Sequence, residues 1–401
     1  MSVNIKIKNH RGFIGLVLLA IGETIVWAGL FYIFPALLLR WENGFDWSRI
    51  ELTGAVTLAL LVSAVCSPFV GRFIDGGIGP KLMAGGALVG GVCVYLLSFS
   101  NALWQFYLLW AVIGAAFSAC LYEPCFILIT RAYGEEAKKG IILVTLVAGF
   151  ASTVSFPMAH IIAEQWGWSM VTRCFAIVVL AAGVPILYVG AAIVERDGHG
   201  IVKRRRDQPR AIVFLHNPVF CFMAIAFALL ALVHGATLHH LLPILSDRDL
   251  AIGSAVLVAS LIGPMQVVGR LIITALSNRL SHKLTAYSCF LFVGIAIVLL
   301  YFSKFGFSVA VTFALVFGSG YGVVSIIRPV IARDLLGDQH FGAKSGFLAF
   351  FYLIGSAAAP YTGSLIWAIG SYDLVLFVLW LLTFAGFGFM HKAIIGHGRK
   401  Q

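Results

Sequence analysis

Two residues of opposite charge sit inside long apolar runs, each followed by proline. They are Glu123 in Leu121-Tyr122-Glu123-Pro124-Cys125 and Arg328 in Ile326-Ile327-Arg328-Pro329-Val330. They fall at matching points of the two halves of a 401-residue chain. An ionised side chain at membrane depth is costly and usually lines a polar cavity or an ion or proton path. A carboxylate and a guanidinium related in this way suit the floor of a solute site between two related bundles, where a rearranging Glu123–Arg328 pair would release and rebind a proton. The alternative is an ion pair that only packs helices. Proline removes a backbone donor and bends its helix, so Pro124 and Pro329 place bends beside the charges.

Other residues in apolar runs carry similar chemistry. Glu23, in Ile21-Gly22-Glu23-Thr24, reads as a proton-coupling or cation site, or else as a hydrogen-bonded structural carboxyl. Arg270, in Val268-Gly269-Arg270-Leu271, has the fixed fork of donors that suits a carboxylate; it reads as an anion ligand in the cavity or as a residue of the cytoplasmic gate. His234, His239 and His240 share one run. A neutral imidazole can bind substrate or relay protons near neutral pH, but adjacent positions cannot share a helix face, so a metal pair at 239 and 240 is not expected. The alternative for each is a hydrogen-bonded packing residue; His239 or His240 is preferred as a site residue because Phe31 and Tyr32 hold the equivalent places in the first half. His160 lies toward the outer end of its run. Tyr122 and Trp27, with Tyr32, read as residues that shape the cavity or else as residues that only pack helices. Trp41, Trp47, Trp166, Trp168 and Tyr372, at the ends of runs, read as interfacial anchors.

The elements that must position these groups follow from composition. The chain is 60% hydrophobic and 11% charged, with a mean hydropathy of +0.97, whereas a soluble domain carries roughly 25% charged residues. Apolar stretches of about 20 residues, each long enough to cross a bilayer, recur near 12–38, 50–71, 82–101, 104–130, 140–163, 171–194, 218–244, 252–276, 284–303, 307–332, 345–368 and 372–391. With the spans alternating, only Arg40, Arg49, Arg173, Arg248 and Lys304 of the 28 Lys and Arg fall toward the outside. That bias places both termini in the cytoplasm. The net charge of +11 is therefore no nucleic-acid patch, and the run Lys203–Arg206 faces anionic lipid. No cleavable signal peptide is evident. The seven cysteines lack metal-ligand spacing, so neither a disulfide nor a zinc framework is expected. With no phosphate loop and no nucleophile triad, neither enzyme activity nor a metal or cofactor is expected.

The polar stretch Glu195–Asn217, with six basic residues, Pro209 and two glycines, divides the chain. The expected units are a six-helix bundle over 1–194, a cytoplasmic linker over 195–217 and a second bundle over 218–401. The halves repeat: Val70-Gly71-Arg72 returns as Val268-Gly269-Arg270, and Lys81-Leu82 as Lys283-Leu284. Parallel six-helix repeats with a site near the membrane midplane are a known transporter plan.

On these features the chain resembles the major facilitator superfamily over essentially its full length. Gly71-Arg72-Phe73-Ile74-Asp75-Gly76-Gly77-Ile78-Gly79-Pro80-Lys81 is similar to that family's cytoplasmic loop, although Gly76 replaces the usual basic residue and one extra residue precedes Gly79. The resemblance implies an all-α membrane protein of about twelve helices in two pseudo-symmetric bundles. It also implies a cytoplasmic gate at Gly71, Arg72, Asp75 and Lys81, in which Arg72 and Asp75 latch neighbouring helix ends. A narrower resemblance, to bacterial relatives of the monocarboxylate and oxalate/formate transporters, rests on Phe45-Asp46-Trp47-Ser48-Arg49, on residues 63–72 and on Arg270. That group's acidic residue one turn before the arginine is Gln266 here, and its first-helix lysine falls near Ala36.

The function expected is secondary active transport of a small anionic, carboxylate-like solute by alternating access, coupled to protons. The alternatives are proton-driven efflux of hydrophobic or cationic compounds and, third, a non-transporting membrane receptor or scaffold. The expected partners are the solute, H+ and the lipid bilayer, with a monomer sufficient for function. The expected location is a bacterial inner membrane.

Overall fold

The computed structural model describes residues 10–198, 215–276, 279–337 and 341–398, built from helices with no strand among them. Eleven helical stretches among these residues are long and apolar enough to cross a membrane. The longest, Lys139–Asp197, has 59 residues and would extend about 88 Å as one helix, against a hydrocarbon core of about 30 Å. It therefore turns back, at Gly167, whose φ of 76° and ψ of 171° suit a residue without a Cβ. That makes twelve crossings.

The first unit comprises α1 (His10–Gly44), α2 (Arg49–Asp75), α3 (Gly79–Leu97), α4 (Leu103–Tyr133), α5 (residues 137–166) and α6 (residues 168–197). The second comprises α7 (Pro218–Asp247), α8 (Ile252–Leu276), α9 (His282–Tyr301), α10 (Phe307–Leu336), α11 (Phe341–Ile369) and α12 (Tyr372–Gly398). The chain divides into two compact units, residues 1–204 and 205–401. The same five pairings build each: α1 on α5 and α6, α2 on α4, and α3 on α4 and α6, matched by α7 on α11 and α12, α8 on α10, and α9 on α10 and α12. The sequence repeat is thus a repeat of packing. Helix α6 runs on through Asp197. Of the expected linker, residues 199–214, including Lys203–Arg206, lie outside the described residues.

Helices that are apolar all round pack by shape, because lipid tails compete equally for apolar surface. In the second unit, α8 and α10 meet through glycines: a Cβ on Gly269 would stand 2.1 Å from the Ser319 carbonyl oxygen, and one on Gly322 would stand 2.3 Å from that of Gln266. In the first unit, rings fill the outer core. Trp41 is fully buried, with its ring 5.5 Å from Phe34 and 5.2 Å from Phe106. Trp41 is therefore a core residue and not an interfacial anchor, whereas Trp166 is 61% exposed. Tyr372 is likewise buried. Phe45-Asp46-Trp47-Ser48-Arg49 forms the corner between α1 and α2. Phe45 stacks on Trp47 at 4.0 Å, Ser48 caps α2 in a capping box with Glu51, and Arg49 donates to Glu42 at 2.6 Å.

Candidate functional site

In the first unit the buried acid is Glu23. Its side chain is fully enclosed on α1, one turn before a π-helical segment, Trp27–Phe31; such bulges are frequent at functional sites. The Cys125 thiol, the Trp27 indole and Glu123 are its polar neighbours, and both carboxyl oxygens are shut off from solvent. Trp27 leans on Phe31 at 4.8 Å and on Tyr122 at 4.6 Å, and Tyr122 stacks on Phe126 at 5.1 Å. Tyr32 packs edge-on against Phe31 and Phe156, at 5.4 and 6.1 Å. One aromatic wall therefore joins α1, α4 and α5 beside Glu23.

Glu123 differs from expectation in burial: it is exposed, and Glu23 is the enclosed acid. The reason is local. Helix α4 breaks at Leu121, which is extended (φ −92°, ψ −158°), and restarts at Tyr122, so Glu123 lies in the first turn of the new segment. Pro124 costs little there, because N–H groups of a first turn have no intrahelical acceptor, and a carboxylate is favoured by the positive end of the helix dipole.

In the second unit Arg328 is half-buried, with its guanidinium carbon 4.3 Å from the centroid of the Tyr352 ring. The Tyr352 and Tyr321 hydroxyls are hydrogen-bonded to each other. Tyr321 in turn lies flat on His234, centroids 3.4 Å apart and planes 6° from parallel, with Phe317 continuing the stack at 5.4 Å from the imidazole. The His234 Nε2 is enclosed and has no hydrogen-bond partner among the described residues. Helices α7, α10 and α11 thus assemble a cation, two phenols and an imidazole. Helix α10 is interrupted just before Arg328, where one segment ends at Gly322 and the next begins at Val324.

Arg270, His239 and His240 have backbone partners. Arg270 Nε donates to the Gly322 carbonyl at 3.0 Å, and Ser325 Oγ donates to the same oxygen at 3.2 Å, so both serve the interruption in α10. Arg270 is buried, at the glycine-lined crossing of α8 and α10. His240 Nε2 lies 2.9 Å from the Pro360 carbonyl, and Nδ1 lies 3.2 Å from the Tyr372 hydroxyl. A carbonyl only accepts, so Nε2 carries the proton and Nδ1 accepts from the phenol. That ring bolts α7 to α11 and α12. His239 Nδ1 donates to the Gly235 carbonyl at 2.8 Å. His160 Nδ1 sits 3.4 Å from Arg40, which is ion-paired with Glu164.

At the gate sequence, α2 ends at Asp75 and turns through Gly77, with φ of 83°. The side chain of Asp75 lies outside the described residues. Arg72 is exposed, 5.8 Å from the Phe69 ring; Lys81 is exposed at the start of α3, and Gly71 faces Ile127 on α4. The cation that ties helix ends together here is Arg131, at the end of α4. It donates to the Ile74 carbonyl and lies 3.6 Å from Glu195 on α6, a favourable place for a cation at the C-terminal end of α2.

Arg131, Tyr352 and His234 gain roles that sequence reading did not assign. For His234 the signal was available: an imidazole in the same helix as the preferred pair, near the depth of Tyr321. For Tyr352 it was not, since one tyrosine among the aromatics of α11 carries no mark until α10 is placed beside it.

Two relatives, both named monocarboxylate transporter 12, resemble this chain at low identity. The one from Xenopus laevis is 22% identical over 330 residues, covering 74% of this chain and 70% of the relative. The one from Mus musculus is 21% identical over 321 residues, covering 72% and 66%. A family model described as Major Facilitator Superfamily matches residues 16–360, a stretch that takes in both repeated units through most of α11. With a match of that extent over helices of this number and pairing, the chain belongs to the Major Facilitator Superfamily, a family of membrane transporters.

Proposed function

We propose that this transporter moves a small monocarboxylate-like anion, coupled to protons, with Arg328 as the anion-binding cation and Glu23 as the proton carrier. The observation that carries the reading is the cluster of Arg328, Tyr352, Tyr321 and His234. A guanidinium over a phenol, with a second phenol and an imidazole behind it, offers charge-assisted donors to a carboxylate and leaves an aromatic face for its short carbon chain. The name of the two relatives agrees with this substrate class. Coupling is inferred from Glu23. An enclosed carboxylate whose polar neighbours are a thiol, an indole and a second carboxylate is destabilised unless it holds a proton or a cation. Glu123, Tyr122 and Tyr32 are proposed to line the solute path, since an exposed carboxylate partway along an apolar span belongs against water and not hydrocarbon. His239, His240 and Arg270 are proposed to hold helices in place for this path. Gly71, Arg72, Asp75 and Lys81 are proposed to gate it, with both termini cytoplasmic.

The aromatic wall of Trp27, Phe31 and Tyr122 beside Glu23 favours one second reading, export of an apolar cation, because aromatic faces attract cations. Reconstituted into liposomes, the protein is expected to accumulate labelled short monocarboxylates under an inward-directed proton gradient, and Arg328→Gln to abolish this. Gradient-driven movement of a lipophilic cation, with none of carboxylates, establishes the second reading instead.

A further inference from the structure

Hydroxyls on the spans mostly bond back to a carbonyl one turn earlier in their own helix. Ser67 donates to Ser63, Thr237 to Val233, Ser260 to Val256 and Thr383 to Leu379, at 2.7–2.8 Å. Ser155 on α5 crosses to another helix instead. It is fully buried and donates to the Ala28 carbonyl of α1 at 2.9 Å, inside the π-helical segment Trp27–Phe31. That carbonyl is the one the bulge passes over. In an α-helix the Tyr32 N–H would meet it, but here that N–H bonds to Trp27, five residues back, at 2.9 Å.

Proline alone does not make this bulge. Pro35 has no N–H for the Phe31 carbonyl and crowds it, yet Pro243 holds the equivalent place in the second half and α7 stays α-helical through Pro218–Asp247. What α1 has is a donor from α5 and a glycine that lets the widened turn press on α6. A Cβ on Gly29 would stand 2.5 Å from Val179 Cγ2. The bulge also joins two anchored halves of α1. Before it, Gly22 lies so close to α6 that a Cβ would stand 2.6 Å from Leu187 Cδ2. After it, Phe34 and Trp41 are locked among Phe106 and Trp110. The same residues wound as α-helix would turn one half against the other by about 100° and shift it by about 1.5 Å.

We infer that Ser155 is a positioning residue for transport: by bonding the Ala28 carbonyl it holds the bulge, and the bulge fixes where Trp27 and Phe31 stand beside Glu23. This role rests on the reading that Glu23 and its aromatic wall serve the transport path. Ser155 acts through α1 and not on the solute. A buried carbonyl deprived of its donor is unfavourable, and α1 relieves it by rewinding as α-helix, which displaces the wall from Glu23.

Uptake of labelled pyruvate into liposomes, measured per folded transporter beside thermal melts, tests this. Ser155→Ala should raise KM at least threefold and lower the melting temperature by about 2–4 °C. A loss of packing alone would lower the melting temperature and leave KM of the folded protein unchanged. A chain lacking Ala28 has no extra residue to accommodate, so α1 runs as a regular helix with both halves in register. Adding Ser155→Ala to it should change neither KM nor melting temperature. If Ser155→Ala alone does not fold, its folding in the shortened chain supports the assignment, and failure there as well overturns it. Ser155→Cys, close in size with a weaker donor, should give an intermediate KM and decides the matter if the shortened chain does not fold. KM unchanged in both Ser155 variants, or an equal effect of Ser155→Ala with and without Ala28, overturns the assignment. Glu23→Gln separates this role from the coupling reading. If it loses gradient-driven uptake while Ser155→Ala keeps its KM, the positioning role falls alone. If Glu23→Gln keeps that uptake, the coupling reading falls, and the melts with and without Ala28 still decide whether Ser155 holds the bulge.

Discussion

The imidazole of His234 lies flat against the phenol of Tyr321, with ring centroids 3.4 Å apart and planes 6° from parallel. The stack joins α7 to α10 and, through the hydroxyl contact of Tyr321 with Tyr352, reaches the ring beneath the Arg328 guanidinium. Movement of any of the three helices must break or carry this chain of contacts.

Tyr321→Phe keeps the stack and removes the hydroxyl link. A hydrogen bond between two neutral hydroxyls is worth about 0.5–1.5 kcal/mol, so substrate KM should rise by roughly two- to tenfold while the melting temperature changes little. His234→Ala removes the stack itself and should lower both substrate affinity and melting temperature. Uptake kinetics beside a thermal melt in detergent separate the two effects.

Arg328→Lys retains the charge but loses the planar fork over Tyr352, and it should fail to restore uptake. Arginine and lysine differ at stacked, bidentate sites. Uptake by the lysine variant within a factor of about two of the unaltered protein would mean that charge alone serves there, contrary to the geometry.

Glu23→Gln keeps the shape of the side chain and removes its ability to carry a proton. Uptake driven by a proton gradient should be lost, whereas exchange of labelled for unlabelled solute across the membrane should continue. If both persist, Glu23 is a structural carboxyl; if both vanish at normal stability, it contacts the solute.

Two glycines of the second unit should respond differently to the same change. Gly322→Ala places a methyl group 2.3 Å from the Gln266 carbonyl oxygen, whereas at Gly294 the nearest atom is an ordinary 3.6 Å away. Overpacking costs about 1–3 kcal/mol, so Gly322→Ala should lower the melting temperature and Gly294→Ala should not. Parallel melts check this directly.

The membrane class, the twelve spans and the two-fold repeat were legible in the residues because each is a one-dimensional property. A bilayer imposes a minimum apolar length and sorts Lys and Arg by side, and a duplicated bundle leaves its offsets in the chain, as Val70-Gly71-Arg72 and Val268-Gly269-Arg270 show. The bend near Pro124 was legible too, since a missing N–H acts locally. Which face of an all-apolar helix meets which neighbour was not. His234, His239 and His240 share α7, yet at about 100° per residue they point in different directions; only packing put His234 on Tyr321 and tied His240 to Pro360 and Tyr372. For the same reason Glu23 emerged as the enclosed acid and Glu123 as the exposed one. Burial belongs to contacts between distant segments, and a helix that is apolar on every side has no polar stripe to mark which of its faces turns inward.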